Sequence, residues 1–353
     1  MKAIKVNADY ESVLFRNKPL PLINESLEFL AFYLDDRPLL TRKKYPFEYL
    51  KHIESIVGHQ PRCVSQGDFE NWWGPLTDLE VERELNSKLM SSTLCSDTLI
   101  LKNMSDLPSL GNKIFLAKNP FGMSGQNFAM VGQDRLENLE QMLKNGPVVL
   151  EPFFDRQFDF SHYIFPNGIS ICYQNIVDKK FQYRGTIFRD YTSPILSGLK
   201  FYPEISRDKW EQFQSLFGEI VKIYSTSNAR TGFSIDSFIY SEDGELKIRG
   251  LSEVNYRRTM GAVAFELAVK YSGIRRFCAF LLSKSNGLNF SQLKEKLSPI
   301  AWRHDLSRGV MLLSPGNVRY DMFLISALNE AEGKVLLSEL KLLLPDSEFS
   351  VEF

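Results

Sequence analysis

Cysteine and histidine are scarce in this chain of 353 residues, with four of each and no cluster of either. Cys63, Cys95, Cys172 and Cys278 form no Cys-x-x-Cys pair and have no histidine beside them, which excludes a zinc motif of the usual spacing. A chain of this length buries about three quarters of its unfolded surface and needs no disulfide staples, so reduced thiols in a cytoplasm are expected. Long apolar runs are missing as well: no stretch of about 18 residues could span a membrane. Met1 to Tyr10 is mixed polar, so no signal peptide is expected. An excess of one charge is also absent. With 42 basic and 43 acidic residues, composition gives no reason to expect a nucleic-acid or anionic-membrane partner. Neither Gly-x-Ser-x-Gly nor His-Glu-x-x-His occurs, which removes two common routes to hydrolysis. There is no internal repeat and no low-complexity segment.

What is present is ordinary globular material, 44% hydrophobic, in three textures. Residues 1–85 carry helical spacing over Glu25 to Leu34, punctuation at Pro38, Pro46 and Pro61, and an acidic helical stretch from Leu79 to Met90. Trp72-Trp73 reads as packing, and Arg42-Lys43-Lys44 as a solvated loop. From Asn86 the texture changes. Lys113 to Lys118 and Phe128 to Val131 read as strands, Leu136 to Leu143 as a helix, and Val148 to Phe154 as a buried strand. Asp159 to Arg189 reads as three strands, Trp210 to Tyr224 as a helix, and Gly232 to Asn255 as a hairpin. An apolar helix is expected from Met260 to Leu282. The tail, 285–353, offers a strand at Gly309 to Leu313 and a helix at Leu328 to Leu343. Hairpins in one block and helices in others indicate an α+β chain with mainly antiparallel sheets and flanking helices, in three parts at 1–85, 86–284 and 285–353.

The hairpin carries the chemistry. Asp243-Gly244 is the strongest short turn signal available, and a two-residue loop there sets Ser234 opposite Glu253 and Asp236 opposite Leu251. Asp236 is then diagonal to Glu253. Side chains alternate faces with period two, so Asp236, Glu253 and Asn255 emerge on one side. Two carboxylates and an amide are hard oxygen ligands of the kind Mg²⁺ accepts while keeping waters and sharing substrate phosphates. The exposed polar face of an amphipathic hairpin is the plain alternative. His162 reads as a surface residue of its hairpin.

Glu253-Val-Asn255-Tyr-Arg257-Arg-Thr259-Met-Gly261 resembles the terminal signature of ATP-grasp enzymes, in which an acidic residue on one strand and Glu-x-Asn on the next hold metal ions at the ATP phosphates. The resemblance places Asp236, Glu253 and Asn255 at those metal positions. It sets Arg257 near the reacting carboxylate, with Arg258 as the competing candidate. Lys118-Asn-Pro120-Phe-Gly122-Met-Ser124-Gly125-Gln-Asn127 is similar to the family's strand lysine and glycine loop over the phosphates, although Asn127 stands where another glycine is common. Val148-Val-Leu150-Glu151-Pro-Phe153-Phe154 looks like the hinge that binds the base. There Glu151 matches the acidic position, Phe153 the backbone donor, and Phe154 an apolar wall. Asp155 or Asp159 is a candidate for the ribose, and Lys88 matches the family's first lysine. These elements follow family order across roughly the middle half of the chain.

The resemblance therefore implies an ATP-grasp fold and a Mg-ATP-dependent ligase. Such an enzyme activates a carboxylate as an acyl-phosphate for attack by an amine, amino acids and peptides being candidate substrates, and needs no nucleophilic side chain. Two alternatives are a small-molecule kinase on the same scaffold and a non-catalytic nucleotide-binding protein.

Overall fold

The computed structural model describes residues 2–111, 113–121, 128–132, 136–189, 205–225, 231–272, 277–285 and 287–349. Their strands assemble three sheets, taken in chain order. The first is parallel and small: β1 (Ala3–Lys5), β2 (Leu39–Leu40), β3 (Cys63–Val64) and β4 (Phe69–Asn71), in the order β3-β2-β1-β4. Helices Tyr10–Arg16, Pro21–Leu27 and Phe47–Val57 form the crossovers that parallel pairing requires. Trp72 and Trp73 are buried at the end of β4, as packing residues.

The second sheet is antiparallel, with β5 (Leu99–Leu101), β6 (Phe115–Lys118), β7 (Phe128–Val131) and β8 (Val148–Pro152) in the order β5-β8-β6-β7. Leu139 of helix Glu137–Leu143 closes its apolar face with Leu101, Val131 and Leu150.

The third sheet positions the site. Its eight antiparallel strands are β9 (Asp155–Ile164), β10 (Ser170–Val177), β11 (Tyr183–Phe188), β12 (Phe233–Glu242), β13 (Glu245–Asn255), β14 (Phe277–Lys284), β15 (Gly309–Leu312) and β16 (Tyr320–Ala327). They lie in the order β13-β12-β9-β10-β11-β14-β16-β15. Helix Arg207–Ser225 lays Trp210, Phe213, Ile220 and Tyr224 against Phe160, Phe233, Ile235 and Val254 on one face. Helix Met260–Ser272 buries Ala262, Val263 and Leu267 with β11, β14 and β16 in the main core.

Two stretches differ from their sequence reading: Leu79 to Met90 is broken at Asn86 into helices Leu79–Leu85 and Lys88–Ser92, and the segment after Met260 changes type part-way. The helix expected over Met260 to Leu282 ends at Ser272, and Phe277–Lys284 is a strand. That strand is flanked on both sides and buried from Phe277 to Ser283, so it reads as a continuous apolar run with no alternation. Strand β16 escaped the sequence reading for the same reason, its residues from Asp321 to Ala327 all being buried. All four cysteines are free thiols. No helix among the described residues is long and apolar enough to cross a membrane.

Candidate nucleotide and metal site

Asp243 (φ 54°) and Gly244 (φ 79°) both take left-handed geometry at the hairpin tip, as a two-residue type I′ loop demands. Pairing runs as expected from Glu242↔Glu245 to Phe238↔Arg249. The ladder then breaks: Gly250, Leu251 and Ser252 stand against Ser237 alone, and pairing resumes at Asp236↔Glu253, Ile235↔Val254 and Ser234↔Asn255. Asp236 therefore faces Glu253 directly instead of Leu251, and Ser234 faces Asn255 instead of Glu253. A regular ladder misplaces them because it has no room for the bulge, which bends the strand. The shift is two residues, so the parity that collects Asp236, Glu253 and Asn255 on one face survives. Ser237 Oγ fastens the bulge by donating to the Gly250 carbonyl at 2.8 Å.

The two carboxylates share a network. Asp236 Oδ1 accepts from Ser161 Oγ at 2.6 Å, and Asp236 Oδ2 accepts from Asn255 Nδ2 at 2.9 Å. The same amide nitrogen lies 3.3 Å from Glu253 Oε1, and Lys88 Nζ is 2.9 Å from Glu253 Oε2. Burial, then the neighbouring charge of Glu253, pushes the Asp236 carboxyl above the usual carboxylate range. Burial acts on Glu253 in the same sense, but the charges of Lys88 and Lys118 overcome it and hold that carboxyl low. The two residues thus differ by their company: Glu253 has cations beside it, and Asp236 has hydroxyls and an amide.

Arg257 and Arg258 diverge. Arg257 Nη2 donates to Asn255 Oδ1 at 2.9 Å, and its Nε donates to Glu11 Oε1 at 2.9 Å, so this guanidinium sits at the carboxylate cluster. Arg258 pairs with Glu266 and lies over the Trp72 ring, 3.9 Å from its centroid. Gly261 ends the signature because Tyr173 crosses it: a Cβ there would meet the ring at 2.2 Å.

Lys88 opens helix Lys88–Ser92, where Ser87 caps the first turn, and its backbone N–H donates to the Pro120 carbonyl at 3.0 Å. That bond ties the helix to the segment leading into the glycine loop. Gly122, Ser124, Gly125 and Asn127 lie outside the described residues. Lys118 pairs with the buried Glu151, lies 3.5 Å from Ser252 Oγ, and is pulled below its ordinary value by burial. Arg156 extends the group, pairing with Asp159 Oδ1 at 3.0 Å.

The backbone donor at the hinge needs correcting. The Phe153 N–H already donates to the Ile114 carbonyl at 2.9 Å, as a continuation of the β6–β8 ladder. If the alternation of the ladder continues, the next N–H, that of Phe154, turns to the opposite side. The Phe154 ring packs 4.3 Å from Tyr240 by centroids, with Arg249 above it. His162 is corrected too. It is buried among Phe160, Phe213 and Phe217, with neither ring nitrogen hydrogen-bonded among the described residues, and burial pushes it down to about 3. Its alternation was read rightly, but that face is covered by helix Arg207–Ser225.

Sequence reading missed Glu11, Ser161, Asn175 and Arg156. Glu11 comes from the first helix, far from any motif. Ser161 faces Asp236 across β9 and β12, and no pattern within either strand announces the pairing. Among the described residues there is no group of three or more His, Cys, Asp or Glu side chains that could hold a metal. The donor set is two carboxylates and one amide, which fits a hard cation that completes its shell with water and phosphate oxygens. A cation there relieves the repulsion between Asp236 and Glu253. Asn255 presents Nδ2 to the carboxylates and Oδ1 to Arg257, so its service as an oxygen ligand requires the amide to turn over and the Arg257 Nη2 donor to find another acceptor.

No sequence-family profile and no curated protein matches the chain. Solved structures do. Carboxyaminoimidazole ribonucleotide synthase from Aspergillus clavatus, complexed with ATP, is 12% identical over 84% of this chain and 79% of its own, with a TM-score of 0.50. The biotin carboxylase domain of 2-oxoglutarate carboxylase from Hydrogenobacter thermophilus, complexed with MgADP, ADP and bicarbonate, is 12% identical over 99% of this chain and 85% of its own, also at 0.50. At such identities the likeness is one of architecture. Together with the mixed helices and antiparallel sheets, it establishes that the fold of this chain is the ATP-grasp fold.

Proposed function

We propose that the chain is a Mg-ATP-dependent ligase that activates a substrate carboxylate for attack by an amine. The observation that carries this reading is the directly opposed pair Asp236–Glu253, with Asn255, Lys88 and Arg257 converging on it. In the reaction, a substrate carboxylate oxygen attacks the γ-phosphorus, the bond from that phosphorus to the bridging oxygen breaks, and ADP leaves. The amine then adds to the acyl-phosphate carbon, loses a proton, and expels inorganic phosphate. Asp236, Glu253 and Asn255 would hold Mg²⁺, which when bound supplies positive charge at the phosphate oxygens.

The side chains divide the remaining work. Lys88 and Lys118 offer compact charges to the phosphates, and each can exchange its present carboxylate partner for a phosphate oxygen. Gly122, Ser124 and Gly125 are proposed to bind the same oxygens. Glu151 and Phe154 address the base, with the Phe154 N–H as donor in place of Phe153. Arg257 meets charge developing on the transferred group, where a fixed guanidinium is worth most. Arg258, held by Glu266 over Trp72, braces the first part of the chain against this segment. In this reading residues 1–85 select the acceptor, and 86–284 bind and react the nucleotide.

The testing experiment is ADP release across a panel of carboxylates and amines, run with wild type, Glu253→Gln and Glu253→Ala. The reading expects release that needs both a carboxylate and Mg²⁺, and that falls by two orders of magnitude or more in both variants, an order-of-magnitude expectation for lost charge stabilisation. A stable phosphorylated product formed without any amine points to a kinase instead. Full activity in both variants removes the metal assignment.

A further inference from the structure

We infer that Ser161, held by Asn175, is a positioning residue that orients Asp236 toward a divalent cation; this rests on the metal reading above. Ser161 is 2% exposed on β9 and stands in register with Asp236 on β12 and Tyr173 on β10. Its hydroxyl lies between two fixed partners. Asn175 Nδ2 donates to Ser161 Oγ at 2.6 Å, and Ser161 Oγ donates to Asp236 Oδ1 at 2.6 Å. Because the amide can only donate there, the serine proton has a single direction left, toward the carboxylate. A chain of donors running one way strengthens each link.

The consequence is an asymmetric carboxylate. Oδ1 is tied back into the sheet by Ser161, with Ser234 Oγ farther away at 3.4 Å. Oδ2 is left facing Asn255 and the cluster of Glu253. Once the Asn255 amide turns over, Oδ2 is the oxygen released from its donor, on the side shared with Asn255 and Glu253. Without Ser161 the carboxylate can rotate about its last bond, and the anionic form loses a buried donor. Partners behind a metal ligand commonly change metal affinity by about ten- to a hundredfold.

The test is a Mn²⁺ titration followed by electron paramagnetic resonance, with the non-hydrolysable nucleotide AMP-PNP present. Wild type, Ser161→Ala, Ser161→Thr and Asn175→Ala are compared, and thermal melts are recorded for each. The expected result is an affinity loss of about tenfold or more in Ser161→Ala, a smaller loss in Asn175→Ala, and recovery in Ser161→Thr, which keeps the hydroxyl. A purely structural serine would lower the melting temperature and leave Mn²⁺ affinity alone. Equal Mn²⁺ affinity in wild type and Ser161→Ala overturns the positioning role while the metal site stands. Absence of Mn²⁺ binding in wild type overturns both. Should Ser161→Ala fail to fold, Asn175→Ala on the half-buried edge of the network decides: unchanged affinity there counts against the inference.

Discussion

His162 is a titratable group packed in phenylalanine with no hydrogen-bonding partner for its ring among the described residues, and that has a definite consequence for stability. Burial holds it neutral, with its value down at about 3 in the folded chain against the ordinary 6.5. Between those limits the unfolded chain binds the extra proton, so stability falls as pH is lowered through that window and is fully present above pH 6.5. The loss amounts to about 2 kcal/mol at pH 5, since each unit of separation is worth 1.36 kcal/mol. Replacing His162 by leucine is expected to flatten the urea-denaturation midpoint between pH 7 and pH 5. A variant as acid-sensitive as wild type would place the sensitivity elsewhere. The carboxylates differ from His162 in having partners. Glu253 is kept charged by lysines, so Lys88→Met is expected to raise its protonation and to weaken Mg²⁺-dependent nucleotide binding by roughly tenfold, in line with the loss of one close charge. Binding unchanged in Lys88→Met, measured by calorimetry, would exclude Lys88 from the site.

At the scale of elements, the bulge in β13 decides where the chemistry stands. Three residues opposite one bring Glu253 level with Asp236, and the Ser237 hydroxyl holds the Gly250 carbonyl in that geometry. Ser237→Ala is expected to cost about 1 kcal/mol, the usual worth of one such bond, and to show as a lower midpoint in chemical denaturation. No change would mean that the bulge is held by packing alone. This element also marks the limit of what the sequence discloses. Asp243-Gly244 fixed the tip, and period-two alternation put Asp236, Glu253 and Asn255 on one face, because both are local properties. The bulge is not local. It depends on helix Arg207–Ser225 lying against Gly250, where a Cβ would come 3.0 Å from Phe213 and Leu216. Likewise β14 carries no alternation because both of its faces are covered, and it reads as more helix. Ser161 and Glu11 reach the site across strand pairings and a domain-length separation that no single segment encodes. The Phe153 N–H is taken by the carbonyl of Ile114, just ahead of β6, and no reading of Val148 to Phe154 by itself discloses that partner.

At the scale of the whole molecule, the first part of the chain is stitched to the end of the hairpin by buried polar groups. Glu11 binds Arg257, the Asn86 side-chain Oδ1 accepts from the Tyr256 N–H at 2.9 Å, and the Arg258 N–H donates to the Trp73 backbone carbonyl at 2.9 Å. Within the first part, the Tyr10 hydroxyl donates to Glu82 at 2.7 Å. Breaking a buried ion pair from one side strands the other charge, so Glu11→Ala is expected to destabilise the protein by about 3–5 kcal/mol. The double variant Glu11→Ala/Arg257→Leu should lose less than the sum of the two single changes, as a double-mutant cycle by chemical denaturation would read. Additive losses would mean the pair does not couple the two regions. Such coupling gives the arginine at the cluster a second support besides Asn255, and it joins the parallel sheet to the antiparallel one at the point where the nucleotide and acceptor would meet.

The central claim is that Asp236, Glu253 and Asn255 hold a divalent cation under the phosphates of ATP. It is tested most directly by calorimetric titration of AMP-PNP into wild type and Glu253→Gln, each with Mg²⁺ and with EDTA. The account predicts saturable binding in wild type that requires Mg²⁺, with affinity at least about tenfold weaker in Glu253→Gln, as expected when a charged ligand oxygen is removed from a cation site. Binding that is equally tight in EDTA and unaffected by Glu253→Gln would contradict it.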